Sequence, residues 1–181
     1  LVEAFRRRPD ARLVVIGEGP ERRRLEATAP ANVTFLGYQP EAVVLDHFRR
    51  ARAFLYAAEE DFGIVPVEAQ AAGTPVVAYG RGGAGETIVG LGRPGATGVL
   101  FDEQTPEAVL AALERFERHA GELPPEHCRR NAERFAGARF RDEFCTAVEQ
   151  AYAGFAAGLS EGVGPPQQPT RASAPIAAVE P

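Results

Sequence analysis

The feature that most constrains this chain is the regular alternation of short apolar runs with amphipathic ones. Leu13-Val14-Val15-Ile16, Val33-Thr34-Phe35-Leu36, Ala53-Phe54-Leu55-Tyr56, Val76-Val77-Ala78-Tyr79 and Gly98-Val99-Leu100-Phe101 are short and rich in β-branched or aromatic residues, as strands are. Helical patterns separate them: residues 1–5, 21–27 and 41–50, the last with Val44, Leu45 and Phe48 on one side. Strands that are apolar almost throughout need cover on both faces, and strands joined through helices run parallel. The pattern therefore predicts an α/β protein with a doubly wound, Rossmann-like parallel sheet.

After Tyr56 comes a loop and a helix that Gly73-Thr74-Pro75 closes, by a glycine C-cap and a proline that cannot continue a helix. A glycine-rich loop, Gly80 to Gly85, leads to a short helix near Glu86, and a looser loop spans Gly90 to Thr97. Helices are expected over 106–119, 125–135 and 140–159, the last with Phe140, Phe144, Val148, Tyr152, Phe155 and Leu159 as one apolar stripe. From Ser160 onward Gly, Pro, Gln and Ala dominate, which reads as a disordered tail. The expected organisation is one domain over 1–157 and a tail over 158–181.

Composition narrows the function. The net charge is -5, and every basic residue is arginine, so no basic face for nucleic acid is expected. The triplets Arg6-Arg7-Arg8 and Arg22-Arg23-Arg24 read as solvated helix faces among acids. Cys128 and Cys145 lack a partner at metal or redox spacing and read as buried or half-buried thiols, which fits a reducing, cytoplasmic setting. His47, His119 and His127 read as exposed helix residues with no ligand partner, so no metal is expected. No apolar run approaches the ~18 residues of a membrane span, so no transmembrane segment is expected. The lack of Met and the opening inside a helical pattern suggest a piece of a longer protein.

The richest stretch is Glu59-Glu60-Asp61-Phe62-Gly63-Ile64-Val65-Pro66-Val67-Glu68-Ala69-Gln70-Ala71-Ala72-Gly73-Thr74-Pro75. It follows the third strand, where helix N-termini in such sheets present free amides to ligands. Gly63 would let backbone approach closely, and the amides around Ile64 and Val65 would receive a phosphate at the positive helix end. Pro66 is tolerated in a first turn. The two carboxylates need partners other than phosphate. A carboxylate accepts paired hydrogen bonds from a vicinal diol, so Glu60 would take a sugar and Glu68 a ribose. The plain alternative makes Glu60 a helix N-terminal acid and Glu68 a surface residue. Asp61 belongs to the same donor-binding stretch and reads as a helix cap or loop support there rather than as a chemical group. Glu86 reads equally as a donor or acceptor contact and as a helix N-terminal acid.

The string from Glu60 to Val76 resembles the acid, seven residues, acid motif of retaining family 4 (group 1) glycosyltransferases of the GT-B fold, most of all the branch with bacterial surface-polysaccharide mannosyltransferases. The likeness covers roughly residues 1–145. Val15-Ile16-Gly17-Glu18-Gly19-Pro20-Glu21, Val33-Thr34-Phe35-Leu36-Gly37-Tyr38 and Gly82-Gly83 with Glu86-Thr87 resemble the family in order and spacing.

The resemblance implies the C-terminal, donor-binding half of a GT-B fold. It gives Glu60 the catalytic position on donor-sugar hydroxyls, Phe62, Gly63 and Ile64 backbone contacts to sugar and diphosphate, Glu68 the ribose, and the backbone of Leu36 and Gly37 the base. Gly17 and Gly19 stand either as ligand contacts or as a tight turn; Arg22 at the third glycine position of a dinucleotide fingerprint argues against nicotinamide. Gly85 and Ala57 depart from the bulkier apolar residue and the proline that the family pattern has there.

The function implied is transfer of a hexose, with mannose as first choice, from a nucleoside-diphosphate sugar to a glycan hydroxyl. GDP-mannose is the first-choice co-substrate, and no cofactor is implied. A glycan or lipid-linked saccharide acceptor would bind through an N-terminal domain that is not in this sequence. A peripheral place at the inner membrane face is compatible. The alternatives are an epimerase or hydrolase of the same fold, or a non-catalytic nucleotide-binding module.

Overall fold

A computed structural model describes residues 1–162. Helix α1 (Val2–Arg6) leads to strand β1 (Leu13–Ile16), and α2 (Arg22–Ala27) leads to β2 (Val33–Gly37). Helix α3 (Glu41–Arg50) then precedes β3 (Phe54–Tyr56), α4 (Ile64–Ala71) precedes β4 (Val76–Tyr79), and α5 (Gly83–Thr87) precedes β5 (Gly98–Phe101). Helix α6 (Pro106–His119), a 3-10 turn (Ala120–Glu122), α7 (Pro125–Ala132), a second 3-10 turn (Glu133–Phe135) and α8 (Gly137–Gly162) complete the described residues. The helix expected over 125–135 thus tightens into a 3-10 turn at its end.

The expected α/β class with parallel strands and helices on both faces is present. Strand β4 shows why. Its residues alternate between faces, and all of them are buried. Val77 and Tyr79 join Val99 and Phe101 under α1 (Ala4, Phe5) and α6 (Val109, Ala112, Leu113, Phe116). Val76 and Ala78 face the other way, toward Phe48 of α3, Ala69 of α4, Ala84 and Ile88. Helix α6 starts where the sequence says it should: Thr105 Oγ1 accepts from the Ala108 amide at 3.2 Å, and Pro106 takes the first turn.

The sheet is not continuous. β1 pairs with β2, and β3 with β4 and β4 with β5, all in parallel, but the described residues show no ladder between β1 and β3.

Residues 1–136 form one compact unit, and α8 belongs to a second that begins at Gly137. Helix α8 continues past residue 157 to Gly162, and residues 163–181, on which most of the expected tail falls, lie outside the described residues. Phe140, Phe144, Val148, Tyr152 and Phe155 of its apolar stripe are exposed. The two thiols differ, against the expectation of two covered ones. Cys128 is buried against the body of the domain, while Cys145 is exposed on α8.

Candidate functional site

Two pairs of loops leave the carboxyl ends of the strands, and different forces hold them. The first pair follows β1 and β2. The Gly17 amide donates to the Gly37 carbonyl at 2.8 Å. The Glu18 carboxylate accepts from the Tyr38 amide at 3.1 Å and from the Arg22 guanidinium, bracing one loop against the other. Gly37 has φ +67°, a torsion that selects glycine, whereas a Cβ there would meet only the far ends of the Glu18 and Arg22 side chains, which can shift. Gly17 also has a positive φ, whereas Gly19 is open to solvent. Pairing of β1 with β2 thus brings Gly17, Gly19, Leu36 and Gly37 to one place.

The second pair follows β3 and β4, and its backbones touch directly. The Gly83 amide donates to the Glu60 carbonyl at 2.8 Å. A Cβ at Gly83 would overlap the Phe62 backbone, and one at Gly82 would overlap the Glu60 carbonyl. No side chain can stand between these loops. Sequence reasoning placed Gly82 and Gly83 in a glycine-rich loop without assigning them to the site; the available signal was a glycine pair closely following a buried strand. At Gly85 a Cβ would lie 2.8 Å from the Gly80 carbonyl, so this loop is tighter than one with a bulkier residue there could be.

Gly63 is the N-cap of α4 at φ +72°, ψ +68°. A Cβ there would meet only Pro66 Cγ and Tyr56 Cε1 at an ordinary 3.6 Å, so within the protein its glycine is required by torsion rather than by space. The amides of Ile64 and Val65 lie in the first turn, where a helix offers no carbonyl partner, and both side chains are exposed. Phe62 is half exposed and packs edge-on against Phe135 with ring centres 5.7 Å apart. Behind this turn, buried Gln70 donates to the carbonyls of Pro66 and Thr87 and accepts from Asn131, tying α4 to the end of α5 and to α7.

The two carboxylates stand on different elements. Glu60 is exposed on the loop, close to Tyr56. Burial first, then the neighbouring Glu60 carboxylate, push the Tyr56 hydroxyl up to about 12. Among the described residues the buried Tyr56 hydroxyl has no partner at full hydrogen-bond geometry. Asp61 does not cap α4: the cap is Gly63, with no side-chain hydrogen bond. Glu68 sits a full turn into the helix, exposed, on a groove of about 640 Å³ shared with Phe48 and Arg49 of α3 and Arg129 of α7. The structure therefore gathers Glu60 to Ile64 at one loop and leaves Glu68 on the neighbouring helix face.

The histidines are half-buried rather than exposed, and each ring has a partner. His47 meets the Val43 carbonyl, His127 the Ala96 carbonyl, and His119 the Glu122 carboxylate at 2.8 Å, an acid at helical spacing that the sequence reading overlooked. Among the described residues no cluster of His, Cys, Asp and Glu could hold a metal ion.

Comparison with known proteins adds to this geometry. The family model described as glycosyl transferases group 1 matches residues 1–135. A D-inositol 3-phosphate glycosyltransferase of Segniliparus rotundus is 36% identical over 132 residues, which is 64% of this chain and 28% of that protein. A GDP-mannose-dependent monoacylated alpha-(1-6)-phosphatidylinositol monomannoside mannosyltransferase of Corynebacterium glutamicum is 38% identical over 92 residues, 45% of this chain and 24% of that protein. Among solved structures, sucrose-phosphate synthase from Thermosynechococcus elongatus superposes with a TM-score of 0.69 at 25% identity, covering 84% of this chain and 41% of that one. The chain thus spans less than a third of the length of these two curated relatives.

Proposed function

The chain belongs to the group 1 glycosyl transferases, and from that premise we propose that it is the donor-binding portion of a retaining enzyme. The intact protein moves a hexose, mannose by first choice, from a nucleoside-diphosphate sugar to a hydroxyl of a glycan. The observation that carries this reading is the interlocked loop pair around Glu60 and Gly83, beside a helix start whose first-turn amides have no helical partner.

In this reading the diphosphate lies on the Ile64 and Val65 amides, at the positive end of α4. Glu60 accepts hydrogen bonds from the sugar hydroxyls and stabilises positive charge that develops at the anomeric carbon, while Phe62 and Gly63 line the sugar. Gly17, Gly19, Leu36 and Gly37 flank the base. Glu68 reaches the ribose from the α3 side of its helix. The helix amides stabilise the leaving diphosphate, and the incoming hydroxyl attacks from the face it leaves. The reaction as proposed takes no metal or cofactor.

The acceptor, a glycan or lipid-linked saccharide, binds to a further domain, and the enzyme works in the cytoplasm at the inner membrane face. No described helix is long and apolar enough to cross a membrane. The relatives named above are transferases, which weighs against the epimerase, hydrolase and non-catalytic readings.

Calorimetric titration of GDP, UDP and ADP, each with and without its sugar, tests this. Glu68→Ala should weaken every nucleoside diphosphate by about 1.5–3 kcal/mol, the loss of charge-assisted hydrogen bonds. Glu60→Ala should spare the plain nucleotide and weaken the sugar donor. Equal losses for both ligands would refute the assignment of Glu60 to the sugar. Residues 1–181 alone should transfer nothing, because holding an acceptor in line contributes about 7–11 kcal/mol in well-oriented systems.

A further inference from the structure

Behind the first turn of α4 lies a buried polar cluster where apolar packing would serve stability as well. Gln70 is 0% exposed, Thr87 1% and Asn131 6%. Gln70 Nε2 donates to the carbonyls of Pro66 and Thr87, each at 3.1 Å. Asn131 Nδ2 donates to Gln70 Oε1 at 2.7 Å and to the Thr87 carbonyl at 2.8 Å, and Asn131 Oδ1 accepts from Arg134 Nη1 at 2.9 Å. Both side-chain amides thus have their nitrogen and their oxygen engaged. Replacing such a pair by apolar groups of the same shape is close to neutral for stability. What a satisfied polar pair adds is direction, because hydrogen bonds fix the angle at which segments meet and dispersion does not.

The bonds lead from this pair to the candidate site by three routes. Pro66 belongs to the first turn of α4, beside the amides of Ile64 and Val65. Thr87 Oγ1 donates to the Gly83 carbonyl at 2.8 Å, and the Gly83 amide donates to the Glu60 carbonyl at 2.8 Å. Arg134 lies over the Phe135 ring, 5.3 Å from its centre, and Phe135 meets Phe62 edge-on. The routes close on one another: residues 63–65 stand between fixed points at Phe62 and Pro66, and Glu60 is held from Gly83. Helix α5 has five residues, too few to keep its direction by its own bonds, and the pair grips its last carbonyl from outside.

Taking the start of α4 as the diphosphate site, as proposed above, we infer that Gln70 and Asn131 are positioning residues for the donor. Through Pro66 and Thr87 they fix the first turn of α4 and the Glu60 loop relative to one another, so that a single nucleotide sugar meets both. Neither touches the ligand. A plain nucleoside diphosphate reads the turn alone, whereas its sugar derivative reads the turn and the loop together. Loosening the pair therefore costs the sugar derivative more than the plain nucleotide.

Calorimetry on residues 1–181 tests this with Gln70→Met and Asn131→Leu combined, titrating GDP against GDP-mannose and UDP against UDP-glucose. In whichever couple the unaltered chain binds, the sugar nucleotide should weaken by about tenfold, the worth of roughly one hydrogen bond, and the plain nucleotide by about twofold or less. The denaturation midpoint should stay near that of the unaltered chain. The Gly83 amide should exchange about tenfold faster while Val77, in the core of β4, keeps its rate. Equal losses for the two members of a couple would mark the pair as packing only and overturn the inference, as would unchanged affinity with unchanged exchange at Gly83. Thr87→Val, which keeps the shape and removes only Oγ1, serves where the combined variant does not fold: it should show the same selective loss and the same faster exchange at Gly83, and their absence would overturn the inference equally. An unaltered chain that binds neither couple refutes instead the reading of the helix start, and exchange at Gly83 then decides whether the pair holds the loop.

Discussion

The loop pair after β3 and β4 and the loop pair after β1 and β2 do the same geometric job by opposite means. In the first, backbone rests on backbone, with Gly83 bonded to Glu60 and no room for a Cβ on either Gly82 or Gly83. In the second, one backbone bond from Gly17 to Gly37 is reinforced by a carboxylate, Glu18, and its arginine. A backbone clamp is stiff and intolerant of substitution, because main chain cannot rotate out of the way. A side-chain clamp can loosen by a rotamer change at small cost. The stiff pair carries the amides proposed to meet the diphosphate, and the adaptable pair flanks the position proposed for the base.

The largest expected effect is at Gly83. Gly83→Ala places a methyl inside the Phe62 backbone and should destabilise the domain by about 3 kcal/mol, the upper range for overpacking. Nucleoside diphosphate binding should be lost even where the variant remains folded; chemical denaturation and calorimetry read the two effects separately. If Gly83→Ala proves as mild as an ordinary surface change, the loops are not clamped by backbone.

Gly63→Ala comes next and separates torsion from space. The Cβ has room within the protein but sits at a positive φ, so the expected loss is about 1–2 kcal/mol. The helix start should shift enough to weaken phosphate binding. The bulkier Gly63→Val should abolish it by also obstructing the approach of the ligand. Normal nucleotide binding by Gly63→Val would refute the amide cradle.

Glu18→Ala should cost about 0.5 kcal/mol, since the Glu18 carboxylate is more than half open to water, and that cost should shrink further in high salt. A loss as large as that at Gly83 would erase the contrast between the two pairs.

The remaining effects are chemical. Burial pushes the Cys128 thiol up to about 11, so at neutral pH a thiol reagent should label Cys145 quickly and Cys128 only on unfolding. Tyr56 is raised as well. A group whose folded value is raised favours the native state fully below its unfolded value, and that advantage disappears as pH passes the folded value. Stability should therefore fall from about pH 9 to 11 for Cys128 and from about pH 10 to 12 for Tyr56, where the pH dependence of unfolding reads it. Tyr56→Phe should flatten the upper part of that fall.

Several features were legible in the residues. The five apolar runs became the five strands, displaced by at most a residue at an end. The string from Glu60 to Pro75 became a loop and a helix that turns at Gly73, φ +92°. Periodicity and turn chemistry are local properties, so a single sequence displays them. The roles of Gly82 and Gly83 were not legible, since their constraint comes from Glu60 and Phe62 on another loop. Nor was the fate of Asp61, which the glycine cap displaced, or of Cys145, whose helical pattern looked like that of a covered helix.

The sequence by itself determined the α/β class, the placement of the strands and the family to which the chain is similar, because each is written in residue type and spacing along the chain. Only the tertiary structure decided which loops touch, on which helix face Glu68 lies, and that β1 and β3 share no ladder among the described residues. Contacts between residues distant in sequence depend on which elements come to lie side by side, and a parallel sheet, in which every connection crosses to a neighbour through a helix, leaves that choice unmarked in any one segment.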